Sequence, residues 1–82
     1  MSTSPERIRT DDRIVTTISR WLTHRLSDEA LRDELEAVPF ETLTREQAHA
    51  VRELQEDLAV GVERAGLEMV ARETLETVAI RD

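Results

Sequence analysis

Glu46-Gln-Ala-His49 is the one stretch of this 82-residue sequence whose residue types and spacing have the form of a metal-binding or catalytic motif. A Glu and a His three positions apart project from one side of a helix, and Glu53, four beyond His49, lies on that side too. Pairs of Glu-x-x-His motifs, joined by further carboxylates, hold the metals of ferritin-like di-iron bundles. Here the motif occurs once, and the chain is short for a four-helix di-iron domain. Its face is roughly opposite Val51, Leu54 and Leu58, so in the simplest fold it meets solvent. A metal site built from Glu46, His49 and Glu53 is therefore expected only between subunits, as an oligomeric ferritin-like alternative. The main expectation is no metal and no cofactor.

Other chemistries lack their residues. There is no cysteine, so disulfides and thiolate metal sites are excluded. Every basic residue is arginine, which excludes Schiff-base and lysine general-base chemistry. No Ser or Thr sits in a nucleophile elbow. Gly61 and Gly66 have no strand before them and no lysine after, so they cradle no phosphate. An acyl carrier protein would share the size, acidity and helicity, but the Asp-Ser-Leu attachment motif is missing. Glu53, Glu56 and Asp57 are expected on a solvated face. His24 is expected near a helix C-terminus, as a favourable cation or an interface residue. The expectation is that the protein is not an enzyme.

The elements that must position these residues are helical. Thr10 with Asp11 and Asp12 suits a helix start; Ser4-Pro5 is an earlier alternative. Ile14, Val15, Ile18, Trp21, Leu22 and Leu26 then make one apolar face. Ser27 caps a second helix, with Leu26 and Leu31 at the spacing of a hydrophobic staple. That helix buries Leu31, Leu35 and Val38, and Pro39 stops it. Phe40 and Leu43 are expected to plug the end of the core. Thr44 with Gln47 matches a capping box and starts the third helix. No alternating pattern signals a β-strand.

We thus expect an all-α bundle of three helices, about 11–26, 28–38 and 45–79, in a single domain (11–82) behind a flexible N-terminus (1–10). The third helix is long. Val51, Leu54, Leu58, Val62, Ala65 and Met69 form one stripe; Val60, Leu67, Ala71, Leu75 and Val78 form a second, roughly opposite. With no proline or turn cluster to mark a break, a continuous or gently bent helix is the favoured form. In the other form it breaks near Gly66 and Leu67 folds back on Val62.

A helix apolar on two sides needs two partners. Trp21 and Phe40 are the only aromatics, and a chain of this size with so little bulk gains from oligomerisation. We expect a non-enzymatic, self-associating interaction module, an adaptor or regulator, with a homodimer favoured and another protein as a further partner. Its interface would hold Val60, Leu67, Val70, Ala71, Leu75 and Val78. The net charge of −7 argues against nucleic acid. The acidic run Asp28, Glu29, Asp33, Glu34 and Glu36 suggests an alternative, an acidic mimic bound to a basic protein surface. The basic residues before Ser27 could meet these acids in the same fold or in a neighbour. No apolar run is long enough for a membrane span or a secretory signal, so no membrane partner and a cytoplasmic location are expected.

Overall fold

The computed structural model describes residues 10–79, which form four α-helices and no strand. They are α1 (Thr10–Leu22), α2 (Asp28–Glu36), α3 (Arg45–Val60) and α4 (Arg64–Ala79), with a short 3-10 turn, Phe40–Thr42, before α3. The described residues are all-α as expected, but with four helices rather than three. The expected flexible stretch 1–10 lies outside the described residues except for Thr10, which opens α1; Ser4-Pro5 also lies outside them. None of these helices is long and apolar enough to cross a membrane.

The helix starts follow local chemistry. Ser27 is extended and its hydroxyl accepts from the Ala30 amide at 3.1 Å, satisfying a free donor of α2. Thr44 accepts from the Gln47 amide at 3.1 Å, and the Gln47 side chain accepts from the Thr44 amide at 3.0 Å. That reciprocal capping box sets the first turn of α3.

The helix ends depart from expectation. α1 stops at Leu22 instead of running to 26. His24 takes a left-handed φ of 65°, and the Arg25 amide reaches back to the Arg20 carbonyl at 2.8 Å. Leu26 keeps its place beside the core from the connection rather than from a helix. α2 ends at Glu36, two residues short of the expected 38, and Val38 still packs on the core. Phe40 and Leu43 do pack against the end of the core.

The larger correction concerns the third helix, expected to run from 45 to 79. It breaks at Gly61, not at Gly66. Gly61 has φ 86°, and the amides of Gly61 and Val62 both bond the Asp57 carbonyl at 3.1 Å. The chain then reverses within three residues, and α4 returns antiparallel along α3. Two cross-bonds fix that register. Gln47 Nε2 donates to the Val78 carbonyl at 3.2 Å, and Thr74 Oγ1 approaches the Ala50 carbonyl at 3.3 Å. Gly66 stays helical inside the first turn of α4. A Cβ there would come within 2.8 Å of Val62 Cγ1, so this glycine serves the close approach of the turn.

Burial explains the reversal. α1 neighbours α2 and α4, and α3 neighbours α2 and α4, so α4 completes a ring around one core. Leu67, Ala71 and Val78 enter that core with Ile14, Ile18, Trp21, Leu31, Leu35, Val51, Leu54 and Leu58. Burying a Leu or Val side chain is worth about 1.5–3 kcal/mol. Removing a few residues from a helix costs less than leaving that stripe wet. The break also resets the helical phase. Ala65 and Met69, expected to continue the stripe of α3, face outward instead.

Thr44→Ala removes one half of the capping box. We expect a loss of about 1 kcal/mol in unfolding free energy. Urea denaturation followed by circular dichroism measures it, and an unchanged midpoint would contradict the role given to the box.

Candidate functional site

A cluster of polar contacts surrounds Trp21. This residue is the last but one of α1 and is 0% exposed, so its indole N–H needs a partner inside the structure. The left-handed His24 turns the chain so that Asp28, first in α2, lies beside the ring. Trp21 Nε1 donates to Asp28 Oδ1 at 2.7 Å. Arg64, first in α4, covers the other side. Its guanidinium carbon is 4.0 Å from the ring centroid. Arg64 Nη2 also donates at 2.9 Å to the Trp21 carbonyl, near the end of α1, which accepts from the His24 amide at 3.0 Å as well.

One guanidinium thus ties α4 to the end of α1 and, through Asp28 at 3.9 Å, to the start of α2. A cation suits the negative end of the α1 dipole but not the positive end of α4. Glu68 offsets the second effect. Arg64 Nε donates to Glu68 Oε2 at 2.8 Å, one helical turn on. That hydrogen bond holds the Glu68 carboxyl below its ordinary pKa, against partial desolvation, with further help from the charges of Arg64, Arg72 and His24. No buried side-chain polar atom lacks a partner among the described residues.

The residues expected to carry function fall in several places. Glu46, His49 and Glu53 are exposed along α3 and line a shallow groove against Glu73 of α4. Among the described residues, no three His, Asp or Glu side chains come together in a group that could hold a metal ion. Of the six residues expected at an interface, Leu67, Ala71 and Val78 are buried within the chain itself. Val70 and Leu75 are partly buried against the same core. Val60 is 76% exposed at the end of α3, and Met69, on the outward side of α4, is 64% exposed. His24 is exposed and shapes a turn, a role its sequence position did not suggest.

The acids of α2 divide into two sets. Asp28 belongs to the tryptophan cluster, and Glu34 pairs with Arg13 of α1 at 3.7 Å, one contact of the basic segment with the acidic run in the same fold. Glu29, Asp33 and Glu36 are exposed on α2.

Sequence reasoning did not bring Arg64, Asp28 and Trp21 together. Two signals pointed there. A lone tryptophan on an apolar face must place its N–H, and an arginine opening a helix is against the dipole unless something else holds it.

Arg64→Ala is expected to cost about 2 kcal/mol, from the ring contact and the charged bond to the Trp21 carbonyl together. Arg64→Lys recovers less than half, because an ammonium cannot stack and fork in the same way. Glu68 adds a pH dependence. Its folded pKa is lowered, so its contribution is full above the unfolded value and is lost as the pH falls through the folded one. Thermal melts of wild type and Glu68→Gln should therefore differ at neutral pH and converge in acid; a difference that persists in acid contradicts the pairing. Comparison with known proteins finds no matching family model, no matching curated protein and no matching solved structure.

Proposed function

We propose that this protein is a non-enzymatic helical interaction module that self-associates as a dimer and acts as an adaptor or regulator of other proteins. The observation that carries this reading is Val60, 76% exposed beside the α3–α4 turn, whereas the other large apolar side chains among the described residues, Met69 apart, pack on one core. A β-branched apolar side chain in water at a helix end is stabilised when a second surface covers it. Met69, 64% exposed on the outward side of α4, offers an apolar contact to a different protein.

The acidic face of α2 supports a second reading, engagement of a basic protein surface. Glu29, Asp33 and Glu36 stand exposed there, in a chain of net charge −7. Binding of that kind weakens steeply between low and physiological salt. A salt-insensitive partner interaction would count against it.

Light scattering across a concentration series tests the first reading. Wild type should show the mass of a dimer, and Val60→Glu should shift it to the monomer with helicity retained, since the side chain is outside the core. A dimer unaffected by Val60→Glu, or a wild type monomeric throughout, contradicts the proposal.

A further inference from the structure

The side of the bundle between α2 and α3 carries four charges in an alternating arrangement. Arg32 and Glu36 stand one turn apart on α2, and Arg52 and Glu56 one turn apart on α3. All four are exposed and line one groove, with Ala59 of α3 beside them. The two helices run antiparallel. At one end Asp28, first in α2, is 3.9 Å from Arg64, just past α3. At the other end the Arg52 guanidinium carbon is 5.1 Å from the ring centroid of Phe40, just past α2. Glu36 therefore lies toward Arg52 across the groove, and Arg32 toward Glu56. Opposite signs alternate both along each helix and across the groove.

The chain does not use these charges internally. Among the described residues, ion pairs join Arg13 to Glu34 and Arg64 to Asp28 and Glu68, and none includes the four around this groove. Four charges that alternate in this way are self-complementary. A two-fold axis along the groove lays α3 of a second copy over α2 of the first. Glu36 then meets Arg52 of the second copy, Arg32 meets its Glu56, and symmetry makes each contact twice. The Phe40 ring already holds Arg52, so less side-chain freedom is lost when it binds. An axis across the groove would also join opposite signs. The axis along it, however, gathers Ala59 and the exposed Val60 of both copies at one end of the interface, whereas the other separates them.

We infer that the α2–α3 face docks on the same face of a second copy about a two-fold axis along its groove, with Glu36 on Arg52 and Arg32 on Glu56 of the other chain. This rests on the self-association proposed above and names its face, its axis and its charge pairs. Val60 borders that face, one residue beyond Ala59 and one turn beyond Glu56. The pairing also sets a rule for partners. A copy whose charges at positions 36 and 52 are alike repels itself and is accepted only by a copy with the opposite change.

The test makes Arg52→Glu in one chain and Glu36→Arg in another. Both positions are exposed, so each chain keeps its helices, which circular dichroism checks. In a dimer of the first variant Glu36 faces a carboxylate, and in a dimer of the second Arg52 faces a guanidinium. One chain of each kind restores both pairs. Light scattering and native mass spectrometry follow each variant alone and the equimolar mixture. The dissociation constant should rise about thirtyfold for either variant alone and return to within about threefold of wild type in the mixture, as a dimer of mixed mass. Within one chain the like charges at 36 and 52 persist in the mixture, so recovery reports pairing between chains. Wild type and both variants equally dimeric, with Val60→Glu monomeric, would overturn this face and leave self-association standing. Weakened variants whose mixture does not recover overturn the axis and its charge pairs. A wild type monomeric throughout overturns both this inference and the self-association on which it rests.

Discussion

The structure depends on one demand: the apolar face of α1 must be covered, and α4 is the element that completes the cover. Ile14, Ile18 and Trp21 need a neighbour besides the short α2. A helix that continued straight from α3 would place its second stripe in water and leave α1 half dressed. Folding back at Gly61 meets both needs at once. The cost is an interrupted helix and one left-handed residue, and glycine makes that residue inexpensive. The break is thus a consequence of burial, permitted by a local residue rather than imposed by it.

Arg64 makes the reversal specific. Apolar burial alone would tolerate α4 in more than one rotation or shift. The guanidinium sits on the Trp21 ring, donates to the Trp21 carbonyl and bonds Glu68, and these contacts are met together in only one register. The same ring fixes Asp28 and hence the start of α2. Three helix termini therefore share one tryptophan. The cross-bonds from Gln47 to Val78 and from Thr74 toward Ala50 hold the far end of the hairpin. A chain with two aromatics gains much of its order from placing one of them well.

Much of this was legible in the residues. Ser27, and Thr44 with Gln47, announced two helix starts because capping is local chemistry. Val51, Leu54 and Leu58 announced the buried face of α3 because periodicity within one helix is also local. The break at Gly61 was not legible in the same way. Glycine in a helix is tolerated, no proline marked the place, and the deciding contacts come from α1, some forty residues earlier by the bond from Arg64 to the Trp21 carbonyl. Ala65 and Met69 fall on the stripe of α3 only when its phase is extended through the turn, and the break removes them from it. His24 was similarly opaque, because a left-handed cap without glycine has only a weak signature. Of the residues expected at an interface, Val60 is exposed, while Leu67, Ala71 and Val78 are covered by the chain's own helices, because their stripe goes into the internal core that only the reversal at Gly61 assembles.

The central claim is that in the single chain α4 returns to α1. Nuclear magnetic resonance of a dilute sample tests it most directly. The account predicts cross-relaxation between the Trp21 indole and the Arg64 side chain, together with an interruption of the sequential helical amide contacts at 61–63. Uninterrupted helical contacts from Arg45 to Ala79, without any contact between Trp21 and Arg64, would contradict it.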